Sequence, residues 1–369
     1  MAWRVILAAA LVAVNACAGT FHQAPPSQQR RWTAYLGSDQ RASAVADTLS
    51  ADPAPIWSHD VGRGVVGAPA LTEKLVLLAQ VDRQLTVLDR TTGAIIWRRR
   101  FGENIGSGPL VDYDRVFFAT QTDQGQVLAL DLGTGKRLWG TRLGDVAAPI
   151  AINGAQLYAG TVDGWFAALS TAAGERIWRT QLAGAVRAAP VVVSGGVIVA
   201  TAADSLYLLD RTTGAIRARR GTAGTILAAP ALADSVIVFG TTSGRLEACD
   251  TATLATRWNL DLGSEVIGAV AVQQDTAFVV THDGELWRVP LEAPAHALKI
   301  ALGVVARGGP TPVAGGVLVA GVGGELALVD ASGARRWTAR IHPPVVQPVI
   351  ANGRFLLAVS ERGEVVAFR

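Results

Sequence analysis

Apolar residues along this chain fall in short runs, broken every few positions by Gly, Asp or Ser, and nowhere after the first twenty residues do they show a helical period. Around residues 109–142 the pattern predicts four strands: Pro109–Val111, Arg115–Thr120, Gln126–Asp131 and Arg137–Arg142. The runs are rich in β-branched and aromatic side chains and too short for helices, which favours strands. Asp163-Gly164, Ser243-Gly244, Asp283-Gly284 and Gly323-Gly324 sit between the second and third runs of their units. Such pairs suit hairpin turns that need a positive φ.

This four-strand pattern returns about every forty residues, a period that marks a repeat architecture. A proline opens most units, at positions 69, 109, 149, 190, 230, 310 and 348, with Val270 in the slot the spacing leaves open. A second signature closes the third strand with Asp, then Gly, then Trp. It stands as Asp89/Gly93/Trp97 and Asp131/Gly135/Trp139, with Ser170/Gly174/Trp178 a looser copy. Asp210/Gly214 carries Ala218 in place of Trp, Asp250/Trp258 carries Leu254 in place of Gly, and Asp330/Gly333/Trp337 follows. In the sixth unit the slots hold Pro290, Pro294 and Leu298, which predicts a shortened or displaced outer strand whose edge could accept a strand from another protein.

Eight repeats of four strands predict an all-β fold, an eight-bladed β-propeller of four-stranded blades. The last unit stops at a third strand, Glu364–Phe368, while Trp57 stands ahead of the first proline slot where an outer strand belongs. The ring is therefore expected to be closed by an N-terminal outer strand, which removes two sheet edges. Trp57, Trp97, Trp139, Trp178, Trp258 and Trp337 are expected to fill wedges between blades, with the preceding Gly allowing a tight turn. A hydrophobic content of 50% with 17% charged residues agrees with strands buried on both faces. The net charge of +3 is scattered, so nucleic acid is not an expected partner.

The N-terminus adds a different signal. A basic start, Met1–Arg4, precedes an apolar run of ten, Val5–Val14, and then Val14-Asn15-Ala16-Cys17. The run is too short to span a bilayer and has the form of a secretory signal. A Cys after a small residue there resembles the bacterial lipobox, in which the Cys is lipidated; the alternative is an ordinary cleaved signal. Ala18 rather than Asp at the next position points to the outer membrane in a Gram-negative host. The expected organisation is a lipoprotein-type signal over 1–16, a lipidated N-terminus and polar tether over 17–54, and the propeller over 55–369.

The unit Leu-Asp-x-x-Thr-Gly-x-x-x-Trp, seen at Leu88–Trp97 and Leu130–Trp139, resembles the repeat of quinoprotein (PQQ-type) propellers. With the lipobox and the blade count, the chain is most similar to BamB-type lipoproteins of the outer-membrane β-barrel assembly machinery. That resemblance implies a non-enzymatic scaffold on the periplasmic face of the outer membrane, held there by its lipid and bound to a component of the barrel assembly machinery. Quinoprotein dehydrogenases share the repeat, but they resemble one another in Ca²⁺ ligands beside the quinone, an adjacent cysteine pair and a catalytic Asp. Here Cys249 has no partner once Cys17 is set aside, and the recurrent aspartates lie on different blades. The five His show no metal-ligand spacing. No catalytic residue, metal or cofactor is expected. A periplasmic propeller that binds another partner, cell-wall polymer or a secretion component, remains the alternative.

Loops joining strands two and three, and those joining blades, emerge on one face of such a disc. Counting three residues back from each proline slot gives Val66, Gly106, Val146, Arg187, Leu227, Ile267, Arg307 and Val345 at the channel mouth. Arg187 and Arg307 are the charged members and the candidate partner-binding residues, since Arg is enriched at binding hot spots.

Overall fold

The computed structural model describes residues 49 and 52–369. The signal over 1–16, Cys17 and most of the tether lie outside the described residues. The rest forms eight four-stranded antiparallel sheets, numbered here as blades 1 to 8 by their inner strands, which start at Ala70, Leu110, Ala151, Val191, Ala231, Ala271, Thr311 and Ile350. Blade 2 is typical: Leu110–Asp112, Arg115–Ala119, Gln126–Asp131 and Arg137–Arg142 run from the centre outward. Middle strands are almost wholly buried, and outer strands are mostly exposed. The all-β eight-bladed expectation holds.

Blade 8 is built from both ends of the chain. Pro55–Asp60 pairs antiparallel with Glu364–Phe368 as its outermost strand. Reciprocal bonds between Ala54 and Arg369, at 3.1 and 3.0 Å, extend the ladder past the last strand residue. Trp337 Nε1 donates to the Pro53 carbonyl at 2.9 Å, and Leu49 packs into the cluster between blades 7 and 8. Closure therefore begins ahead of the closing strand itself, with Leu49.

Four of the six tryptophans make a repeated lock between blades, while Trp337 bonds the Pro53 carbonyl and Trp258 is partly buried against the cluster of blades 5 and 6. Trp57, Trp97, Trp139 and Trp178 each donate Nε1–H to a carbonyl in the next blade's turn, at Arg90, Leu132, Thr171 and Arg211 respectively (2.9–3.1 Å). Each ring lies against the glycine three residues beyond that carbonyl. A Cβ at Gly93, Gly135, Gly174 or Gly214 would sit 2.5–3.1 Å from the facing indole. The glycine is thus required twice, for its positive φ (66–73°) and for the ring it receives.

The degenerate copies are complementary across one wedge. Ala218 stands opposite Leu208 in the register where Trp178 faces Ala168. The next blade's turn carries Leu254 at φ +60°, and Leu254 is 2% exposed in the same cluster as Ala218. The large side chain has crossed from one blade to the other. Between blades 6 and 7, where Leu298 replaces Trp, Arg288 Nη1 donates to the Ala331 carbonyl at 3.2 Å and Ile300 packs on Gly333.

Blade 6 has the expected shortened outer strand, Leu298–Ala301. Its edge, however, is not opened. A single 3-10 turn, Pro294–His296, packs against the third strand and against the outer strand of blade 5. Val289, beside the missing ladder, is fully buried. The expected docking edge is covered by the chain's own turn.

Candidate functional site

The face carrying the inter-blade loops is organised by two rings that the proline spacing alone does not separate. Residues Val65, Ile105, Val146, Val186, Ile226, Val266, Ala306 and Val345 are equivalent by strand register, and all are buried. The exposed or half-exposed position follows each of them. Val146 and Val345 therefore belong to the buried ring, and Ala147 and Val346 stand at the mouth. The spacing slips because Pro149 and Pro348 lie two residues before their inner strands, whereas Pro69, Pro109, Pro190, Pro230 and Pro310 lie one before. These two prolines instead occupy a slot otherwise filled by Ala or Gly. Gly108 shows why that slot is small: a Cβ there would lie 2.6 Å from the Ala68 carbonyl of the neighbouring loop. Ala189, Ala229 and Ala269 join the same core cluster as blade 1.

The loops are held from beneath by a threonine series, Thr120, Thr161, Thr201, Thr241 and Thr281, at the ends of second strands and at most 1% exposed. Thr120, Thr161, Thr241 and Thr281 accept the N–H of the first third-strand residue at 2.7–3.3 Å. Gln80 and Ser360 take the equivalent places in blades 1 and 8. The spacing of this series was legible in the sequence, but a Thr inside an apolar run reads as an ordinary strand residue.

On this scaffold Arg187 and Arg307 are both exposed, each directly after a buried residue of the ring. Register places them at equivalent positions three blades apart, so they share a face without forming a pair. Leu227, the equivalent residue of blade 5, is 41% exposed, which puts an apolar side chain between the two cations. Arg187 also has acidic company. Burial and then Asp123 and Asp163 raise the Asp145 carboxyl above its ordinary value, and Arg187 opposes the shift. The mouth is therefore mixed in character, apolar with two cations and an acidic arc over blades 2 and 3.

The motif aspartates do something else. Asp89, Asp131, Asp210, Asp250 and Asp330 each accept backbone N–H groups of their own turn through Oδ1. Bonds from Arg257 and Thr253 hold the Asp250 carboxyl down to about 2. These carboxylates face away from the inter-blade loops and are already used. Among the described residues no group of three or more His, Cys, Asp or Glu is arranged to hold a metal ion. Cys249 is fully buried, and burial pushes its thiol up to about 11. Ca²⁺ needs several converging oxygens, which the turn aspartates, each on a different blade, do not supply.

The PQQ_2 family model, described as outer membrane protein assembly factor BamB, matches residues 38–147, 123–217, 208–293 and 284–369. The chain belongs to this family. Among curated relatives, outer membrane protein assembly factor BamB of Legionella pneumophila is 26% identical over 164 residues, 41% of this chain and 42% of that protein. BamB of Yersinia pestis is 27% identical over 139 residues, 33% of this chain and 35% of that protein. The matched stretches thus span about two-fifths or less of the curated relatives' length. The crystal structure of BamB from Moraxella catarrhalis superposes with a TM-score of 0.73 at 18% identity, covering 86% of this chain and 99% of that one. A europium-containing methanol dehydrogenase gives a TM-score of 0.76 at 12% identity, covering 89% of each chain. At such identities the structural likenesses bear on the fold alone, since one fold carries both an assembly factor and an enzyme. The PQQ_2 repeats of this chain keep the architecture and commit their aspartates to turns.

Proposed function

We propose that this protein is a non-enzymatic, lipid-anchored periplasmic scaffold for assembly of outer-membrane β-barrel proteins. The observation that carries the reading is the family match over nearly the whole chain, to a model described as an assembly factor. The named relatives BamB of Legionella and Yersinia point the same way. The mouth of the disc supplies the partner surface, with Arg187 and Arg307 as the charged contacts and Leu227 as the apolar one. Cys17 carries the lipid, and the protein sits on the periplasmic side of the outer membrane.

The double variant Arg187→Glu/Arg307→Glu tests the surface. Affinity capture from membranes should show the co-purifying assembly component bound about two decades more weakly. The thermal midpoint should stay in place, because exposed loop charges add little to folding. Retained capture would move the binding face elsewhere; co-purification of a cell-wall or secretion component instead would replace the assembly reading.

The anchor is tested separately. Cys17→Ser should shift the protein from the membrane to the soluble fraction with the disc folded. An unchanged membrane pool and no acyl mass on the mature N-terminus would refute lipidation.

A further inference from the structure

The rim of the disc is electrostatically lopsided. The outer strands of blades 1 to 4, Ile95–Arg100, Arg137–Arg142, Arg176–Gln181 and Ile216–Gly221, hold ten arginines and no Asp or Glu. Nine of the ten are exposed. The third strands beside them open with Gln84, Gln126, Trp165 and Ser205, none of which bears a charge. In blades 6 to 8 the same position is Glu285, Glu325 and Glu364. Each of those carboxylates is paired, with Lys299 at 2.6 Å, Arg340 at 3.0 Å and His342 at 3.2 Å. Among the described residues, the one ion pair made by an arginine of the first four outer strands is Arg220 with Glu247. The others that bond do so mainly to neutral groups, as Arg99 does to the Gly135 carbonyl and Arg217 to that of Gly195. Such bonds position a guanidinium without cancelling its charge.

Charge on an outer strand commonly protects a sheet edge from pairing. That need exists on all eight blades, whereas the unneutralised arginines are concentrated on four adjacent ones, with Arg335 of blade 7, bonded to the Leu302 carbonyl, the one exposed exception on the other outer strands. The same arc also exposes aliphatic side chains: Ile95, Leu138, Ile177 and Ile216 are 42–47% exposed, and Ile56 on the closing strand is 44% exposed. Guanidinium forks match phosphate oxygens, and exposed aliphatics beside them suit the boundary between headgroup and acyl chain. The described chain joins blade 8 at Pro55, and its preceding residues Pro53 and Leu49 lie against blade 7, so the basic arc begins on the far side of blade 8 from them. On blade 7 itself, Arg336 and Arg340 are paired to Asp330 and Glu325.

We propose that the rim of blades 1 to 4 is a membrane-contact surface that takes anionic phospholipid headgroups. It rests on the scaffold reading only in that the tether holds the disc beside a bilayer. A polybasic patch is a membrane signal of its own that adds to a lipid anchor and orients the disc against the bilayer. Lying on its rim, the disc would present its loop face sideways along the membrane, leaving Arg187 and Arg307 open to a partner.

The test uses full-length chain carrying Cys17→Ser, floated with vesicles of phosphatidylethanolamine and phosphatidylglycerol or with vesicles of phosphatidylcholine alone. Binding is expected to the anionic vesicles only, and high salt should release it. Arg100, Arg142 and Arg176 are exposed, and their side chains make no hydrogen bond or ion pair among the described residues. Reversing all three to Glu should lower partition onto anionic vesicles by about a hundredfold or more, while Arg336→Glu/Arg340→Glu on the paired rim leaves it unchanged. Circular dichroism and the thermal midpoint establish that both variants fold. Equal flotation with both vesicle types, or a triple variant that floats like its parent, would overturn the proposal. So would failure to bind vesicles together with arginine-dependent binding of polyglutamate, which would make the occupant an acidic polypeptide. Capture of the assembly partner by the triple variant separates the readings, since it tests the loop face without the rim.

Discussion

Replacing Trp57 with alanine lowers the stability of the propeller by about 3–5 kcal/mol, the range of a large aromatic removed from a packed site. The ring sits over Gly93 and within 6.4 Å of the Phe355 centroid, and its Nε1 bonds the Arg90 carbonyl. Every blade junction is crossed by continuous chain, through the connection that follows an outer strand. Blade 8 is continuous with blade 1 through Asp60, but its own integrity depends on the pairing of Pro55–Asp60 with Glu364–Phe368. Losing Trp57 therefore weakens the strand that holds the two ends together. Trp57→Phe keeps most of the buried ring and loses the hydrogen bond, so it should cost about 1 kcal/mol. Urea titrations of the two variants measure both quantities. If Trp57→Ala proves as mild as Trp57→Phe, the N-terminal strand is not what closes the ring energetically.

The blade count and the closure were legible because repetition multiplies weak signals. One Pro before an apolar run says little, while seven at a near-constant spacing fix the phase of the strands. What stayed hidden were relations between blades. Gly93 reads as a turn residue, and only the packed structure shows that it also receives Trp57. Pro149 belongs to the proline series in sequence but occupies the small-residue slot of the neck, so the mouth residue of that blade is Ala147 rather than Val146. The edge of blade 6 read as open because Pro290 and Pro294 interrupt the strand pattern, yet the turn they form covers it. For the candidate site, the exposure of Arg187 and Arg307 followed from their loops. The acidic neighbours of Arg187 did not, because Asp123, Asp145 and Asp163 meet from three separate loops.

The same kind of hidden relation gives the second large effect. Ala218 and Leu254 look like two unrelated losses of the motif, one of its Trp and one of its Gly. In the structure they share one wedge, and the Leu254 side chain fills the space the indole occupies elsewhere. Ala218→Trp alone should destabilise by about 1–3 kcal/mol or more, because the new ring meets Leu254. Leu254→Gly alone should cost about 2–5 kcal/mol for the emptied wedge, offset in part by relief of a non-glycine residue at φ +60°. The double variant restores the arrangement of Trp178 on Gly214, with the indole against a bare turn. The Thr251 carbonyl then stands where the Arg211 carbonyl accepts the Trp178 Nε1–H, three residues before the glycine in each case. It should recover most of both losses. The expected coupling is about 2–3 kcal/mol, the upper range for residues in direct contact. Denaturation of the parent, both single variants and the double variant completes the cycle. Additive losses would mean that the two substitutions are independent drift, and the exchange of bulk across the wedge would then have no energetic content.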